Sequence, residues 1–148
     1  MYSWILIAHS DWRWVVIGLG GVVLLFAARA LLAGKGWGAN AARLARLFGI
    51  ALDVQVLMGA SLFLLFSPLT TIALSAATAR VPVESQLHYF ANVHSFTMLA
   101  AFIAVHIASV LVRRAPEAMR ARWALTGYGA TWLIVMAGIP WWRPWVRI

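Results

Sequence analysis

The chain has 148 residues, of which 64% are hydrophobic and 11% are charged, and its formal net charge is +8. Because it contains no cysteine, disulfides, thiolate metal sites, iron–sulfur clusters and covalently attached c-type haem are excluded. The apolar residues form four stretches of about 20 residues, each long enough to cross a bilayer. We therefore expect an all-α fold, an integral membrane four-helix bundle in which residues 1–148 form a single domain.

Polar joints separate the four predicted spans. The first is expected to be a retained helix, because His9, Asp11 and Arg13 precede an apolar run that is too long for a signal peptide. The predicted boundaries are roughly Ser3–Ala33, Leu47–Ser67, Phe90–Val112 and Trp123–Ile139.

The basic residues concentrate in the joint between spans one and two and in the joint between spans three and four. They are Lys35, Arg43, Arg46, Arg113, Arg114, Arg120 and Arg122. Cytoplasmic loops carry such an excess of positive charge. We therefore expect both termini and the Pro68–Tyr89 loop on the outer, periplasmic side of a bacterial inner membrane. The basic balance then indicates orientation and contact with anionic lipid, and not nucleic-acid binding.

Glycine, proline and tryptophan mark the segments between and after the spans. The glycine-rich stretch Gly34–Asn40 predicts a turn on the inner face. Span two should end at Ser67 and Pro68, because proline stops helical hydrogen bonding, and Thr70–Ala79 should lie along the outer interface. The tail from Gly138 to Trp145 should lie flat at the outer surface. Most of the nine tryptophans are interpreted as interfacial anchors.

Two histidines are predicted to lie at the same depth. His9 is twenty residues before Arg29, and His94 is nineteen residues before Arg113. At a rise of about 1.5 Å per residue, both lie roughly 30 Å above the inner boundary. The imidazoles of His9 and His94 should therefore meet near the outer face. The alternative role for each is a hydrogen bond that bridges two helices.

A second polar pair is predicted nearer the inner face. His106 is seven residues before Arg113, and Asp53 is seven residues after Arg46, so both lie about 10 Å above that boundary. A proton relay or a cation site is one interpretation; the favoured one is a buried structural pair, or two groups each bonded elsewhere. His94 and His106 point about 120° apart on one helix, so we expect no single site to use both.

Other polar residues complete the candidate site. Arg13 follows His9 by four residues on the same helix face and should bind a carboxylate, a haem propionate or a quinone carbonyl. Gln55 and Gly59 are also four apart, and they place an amide beside a gap where a flat ring can approach the backbone. His88 and Tyr89 should face solvent or a partner. Met98 and Met136 are interpreted as packing residues.

These residues resemble a family of small four-span bacterial membrane proteins labelled cytochrome b-like. The resemblance covers nearly the whole chain. It rests on His9-Ser10-x-x-Arg13-Trp14, Gln55-x-x-x-Gly59, Ser67-Pro68, His94 and Gly138-Ile139-Pro140-Trp141. It implies a b-type haem with His9 and His94 as axial ligands and with Arg13 as a propionate or quinone partner.

Two positions depart from that family pattern. Relatives often carry histidine where this chain has Asp53, and an acidic residue where it has Val93. If the family's haem is held through the helix-two position, this chain cannot hold it in the same way. The site would then be empty or rebuilt around His106.

Three functions follow from the sequence. The first is a membrane-bound b-type haem electron carrier between quinol and an outer-face acceptor. The second is a non-catalytic accessory subunit of a larger respiratory or photosynthetic complex, packed against other membrane-protein subunits. The third is a subunit that binds a chlorophyll-type pigment through histidine. Motifs for zinc-dependent or serine hydrolysis, and for phosphate binding, do not occur in the sequence.

Overall fold

The computed structural model describes residues 2–66, 72, 75 and 85–143. The described parts of the chain form four long helices and no strand. Helix α1 spans Tyr2–Leu32, and α2 spans Ala39–Ser61 and continues through a π-helical stretch, Leu62–Phe66. Helix α3 consists of Ser85–His88, a π-helical stretch Tyr89–His94, and Ser95–Arg114; α4 spans Glu117–Gly138. The prediction of an all-helical fold with four main helices is confirmed.

Three of these helices are long and apolar enough to cross a membrane: Tyr2–Leu32, Ala39–Leu65 and Gln86–Arg114. Large apolar side chains also cover the outside of the bundle. Leu25, Leu57 and Leu133 are 70%, 68% and 64% exposed, respectively. These side chains are not buried within the bundle, so in water they would be exposed to solvent. A surface of this kind is better suited to contact with lipid hydrocarbon. These features are consistent with a membrane protein.

The joints between α1 and α2 and between α3 and α4 are short. Helix α1 ends at Leu32, Gly34 adopts a left-handed conformation with φ of 63°, and α2 begins at Ala39. Only glycine adopts that conformation readily, so the predicted glycine-rich turn is confirmed. Helix α4 begins at Glu117, six residues before the predicted span boundary at Trp123. Pro116 precedes it with an extended backbone, as suits a residue that cannot donate to a helix.

The helices close around one core. Helix α1 packs against α2 and α4, and α3 packs most extensively against α4. Among these neighbouring helix pairs, the contact between α2 and α3 is the least extensive. The largest fully buried side chains are Phe48, Leu52, Val16, Val23, Val105 and Thr131. At Gly127 a Cβ atom would lie 2.8 Å from the Cβ of Ala108. Small residues therefore allow the backbones of α3 and α4 to approach closely.

Two tryptophans join neighbouring helices through their indole N–H groups. Trp12 Nε1 donates to the carbonyl oxygen of Ala51 at 2.9 Å, and Trp132 Nε1 donates to that of Ile17 at 3.0 Å. Each indole thus satisfies its polar group inside the bundle. Trp141 and Trp142 are 45% and 59% exposed beyond the end of α4.

Several predicted features lie outside the described residues. They are the helix end at Ser67 and Pro68, the stretch Thr70–Ala79 apart from residues 72 and 75, and the tail after Arg143.

Candidate cofactor site

A cavity of about 380 Å³ lies at the end of the bundle where α1 begins and α4 ends. All four helices contribute to its lining. His9, Arg13, Gln55, Gly59 and His94 all line this cavity, whereas Asp53 and His106 do not. Its volume lies within the roughly 300–1,000 Å³ that ligand pockets occupy.

His94 is held by the end of α4. Its Nδ1 donates a hydrogen bond of 2.7 Å to the carbonyl oxygen of Gly138. Gly138 is the last residue of α4, and the last carbonyl groups of a helix have no partner within that helix. Because α4 ends at this level, it offers His94 an acceptor that a continuous helix would already have used.

Tyr89 shares that acceptor, which corrects the prediction that it faces solvent or a partner. It is half-buried, and its hydroxyl donates to the carbonyl oxygen of Gly138 at 2.9 Å. In an α-helix, residues five apart point in different directions, but π-helical winding takes about one more residue per turn. The π-helical stretch therefore places the rings of Tyr89 and His94, with centroids 6.1 Å apart, on one side of α3. His88 is exposed, as expected.

His9 is held by α2 through a reciprocal set of contacts. Its Nδ1 donates to the carbonyl oxygen of Gln55 at 3.2 Å, and Gln55 Nε2 donates back to the carbonyl oxygen of His9 at 2.9 Å. A Cβ atom on Gly59 would lie 3.0 Å from His9 Cε1. The flat ring expected beside Gly59 is thus the imidazole of His9 itself.

The two imidazoles are neighbours in the lining of the cavity, with centroids 6.2 Å apart and ring planes at 83°. A carbonyl oxygen only accepts hydrogen bonds, so each Nδ1 carries the hydrogen and each Nε2 has a lone pair. The lone pair of His9 Nε2 accepts from Gln55 Nε2 at 3.4 Å, a long contact that metal ligation would replace. If two imidazoles bind one metal ion from opposite sides, with metal–nitrogen bonds of about 2 Å, their centroids lie about 6 Å apart. The observed spacing fits that arrangement.

Two arginines line the mouth of the cavity. Arg13 on α1 was predicted, and Arg143, just after α4, was not. The guanidinium of Arg143 lies 5.0 Å from the centre of the Phe90 ring, and its Nη2 donates to Gln86 Oε1 at 2.9 Å. The site therefore has two cationic groups at its mouth, each suited to a carboxylate.

Asp53 and His106 meet away from the cavity. His106 Nε2 donates to Asp53 Oδ1 at 3.1 Å, and their side chains are 50% and 41% exposed. The predicted pairing occurs, but the prediction that the pair is buried is wrong. Because His106 bonds to Asp53 on the outside of the bundle, the structure gives no support to a site rebuilt around His106. Among the described residues, no three histidine or acidic side chains cluster as metal ligands; axial ligation of a haem requires only two.

Sequence reasoning missed Gly138, Tyr89 and Arg143. The proline after Ile139 marks the end of α4, and so a signal for the open Gly138 carbonyl was present. The roles of Tyr89 and Arg143 depend on the π-helical stretch and on the turn after α4, for which we find no signal in the sequence. Comparison of the chain with protein-family models, with curated proteins and with solved structures finds no match.

Proposed function

We propose that this protein is a membrane-bound b-type haem electron carrier that passes electrons between quinol and an acceptor at the outer face. We further propose that all four helices cross a bacterial inner membrane, with both termini on the periplasmic side. The excess of arginine and lysine in the two inner joints supports this orientation.

One observation carries the proposal: the two cavity imidazoles are 6.2 Å apart, and each donates its Nδ1 hydrogen to a backbone carbonyl. Histidine that ligates a metal commonly donates its other ring hydrogen to a carbonyl or a carboxylate, which sets the tautomer and the ring orientation. Helix bridging alone sets no distance between the two histidines, whereas shared ligation of one metal requires a centroid spacing close to the one observed. The arrangement therefore favours ligation over bridging.

A b-type haem, when bound, supplies a one-electron couple. The protein's part is to hold and surround it. His9 and His94 are the proposed axial ligands, and Arg13 and Arg143 are the proposed partners of the two propionates. Because the haem potential depends on burial and on the charges nearby, these two arginines also tune it.

Quinol binding is a second candidate role for the same cavity. Gln55 is buried, and its Oε1 has no hydrogen-bond donor among the described residues. Together with the Nε2 atom of His94, it offers acceptors suited to the hydroxyl groups of a quinol. The remaining candidates are an accessory subunit, which the polar pair on the outside of α2 and α3 favours, and a pigment protein with one histidine on magnesium.

A reduced-minus-oxidised absorption spectrum of the protein purified from membranes tests the proposal. We expect a sharp b-type α band with about one haem per chain, lost in His9→Ala and in His94→Ala. His88→Ala is the matched control, because His88 is exposed and does not line the cavity. Retention of haem in His94→Ala would contradict the ligand assignment. Far-red bands would indicate a pigment, and a featureless spectrum would favour the quinol or accessory role.

A further inference from the structure

The ion pair between Asp53 and His106 lies on the outer surface of two membrane-length helices. Asp53 belongs to Ala39–Leu65 and His106 to Gln86–Arg114, and both side chains are about half exposed. By helical spacing, Ile50 and Leu57 share the side of α2 that carries Asp53, and Ile103 shares the side of α3 that carries His106. These three apolar side chains are 52%, 68% and 50% exposed, respectively. Ionisable residues within a membrane are costly against lipid and almost always face protein or a water-filled space. This face of the bundle therefore requires contact with another protein surface to shield the ion pair from lipid.

The pair has one open hydrogen-bonding group on each residue, and the two open groups are complementary to each other. His106 Nε2 bonds to Asp53 Oδ1, and no described residue bonds to His106 Nδ1 or to Asp53 Oδ2. In hydrocarbon the pair is least costly with a net charge of zero. Both neutral arrangements, imidazolium with carboxylate or imidazole with carboxylic acid, leave one donor at Nδ1 and one acceptor on the carboxyl group.

We propose that this surface, the α2–α3 face formed by Ile50, Asp53, Leu57, Ile103 and His106, docks against the same surface of a second copy of this chain. Two copies inserted with the same orientation are related by a two-fold axis along the membrane normal. That axis keeps every residue at its own depth. The free donor of each His106 is then level with the free acceptor of the other copy's Asp53, and both are satisfied. The proposal is independent of any haem.

The absence of cysteine from the chain makes a crosslinking test direct. Ile103→Cys places one thiol on the α2–α3 face, ten residues before Arg113. Leu133→Cys is the matched control: it is exposed on α4, eleven residues after Arg122, at a similar depth but on a different side of the bundle. In lipid vesicles at low protein density, mild oxidation should convert most of Ile103→Cys to a disulfide-linked dimer and little of Leu133→Cys.

A second comparison tests whether the polar pair holds the dimer. Adding Asp53→Leu and His106→Leu together to Ile103→Cys leaves no unpaired charge, and we expect crosslinking to fall at least tenfold. Thr126→Val, which removes an exposed hydroxyl from α4, should leave it unchanged. Retained tryptophan fluorescence and elution volume in detergent show that the double variant is folded. Equal crosslinking at positions 103 and 133, or full crosslinking in the folded double variant, would overturn the proposal. Monomers in every sample would also overturn it and would indicate that the face contacts a different subunit.

Discussion

The backbone carbonyl groups that hold His9 and His94 are the most informative feature at the residue scale. Each histidine bonds to a carbonyl oxygen on a neighbouring helix, Gln55 on α2 for His9 and Gly138 on α4 for His94. Because these acceptors belong to the backbone, conservative substitutions of neighbouring side chains should leave the ring orientations intact. The orientation of the two imidazoles is therefore set by the helix packing, and a ring is displaced most readily by adding bulk at a position that contacts it.

Gly59 tests this view of His9. In Gly59→Ala the new Cβ lies 3.0 Å from His9 Cε1, so the ring must shift by a few tenths of an ångström. Gly49→Ala is the control on the same helix, since its Cβ meets Val105 at an ordinary 4.0 Å. Replacing a helical glycine by alanine adds up to about 1 kcal/mol of helix stability. We expect Gly49→Ala to show that gain and to keep its haem, and Gly59→Ala to lose haem several times faster to an apo-protein acceptor. Equal haem loss would mean that Gly59 does not position His9.

Arg143 tests the charge at the cavity mouth. A cation near a haem stabilises the reduced form, which carries one electron more, so Arg143→Leu should lower the midpoint potential. The expected change is on the order of tens of millivolts, where 59 mV is a tenfold change in the equilibrium constant of a one-electron couple. Arg122→Leu, near the start of α4 and so at the opposite end of that helix from Arg143, is the control. A redox titration of both variants checks this. Equal midpoint potentials in Arg143→Leu and Arg122→Leu would mean that Arg143 does not bind a propionate.

At the scale of elements, the π-helical stretch Tyr89–His94 determines which side chains of α3 reach the end of α4. An ordinary α-helix would turn Tyr89 away from Gly138 while His94 faced it. Hydrophobic periodicity in the sequence indicates a helix here but does not reveal the extra residue in the turn. The position of Tyr89 was for this reason predicted wrongly, whereas the depth of His94 was not affected.

The contact between α3 and α4 depends on Gly127. In Gly127→Ala the new Cβ would lie 2.8 Å from the Cβ of Ala108 and 3.3 Å from its Cα, so the helices must separate. Overpacking of this kind costs about 1–3 kcal/mol. Gly129→Ala, two residues further along the same helix, meets only Leu24 Cδ2, at 3.6 Å. Denaturant unfolding in detergent micelles should show a loss of stability for Gly127→Ala and none for Gly129→Ala. Equal stabilities would mean that the two helices adjust at no cost.

At the scale of the whole molecule, the arrangement of charge predicts the orientation in the membrane. Single cysteines at Lys35, in the joint between α1 and α2, and at Gln86, near the start of α3, report on opposite sides. In right-side-out vesicles, a membrane-impermeant maleimide should label Gln86→Cys at once and Lys35→Cys only after permeabilisation. The reverse pattern would invert the proposed topology, and labelling of both on the same side would mean that α2 does not cross the bilayer.

The helices, and which residues lie at the same level along them, could be predicted from the sequence, because both follow from apolar run lengths and from counting residues along a helix. The run lengths and the composition predicted four helices, and the distances from Arg29 and Arg113 predicted that His9 and His94 approach each other. The same counting predicted the contact between Asp53 and His106. Rotation about each helix axis, and the identity of the neighbour that a side chain meets, depend on how all four helices pack together. Only the tertiary structure therefore decided that Asp53 and His106 lie on the outside, that Gly138 holds His94 and Tyr89, and that Arg143 joins the cavity.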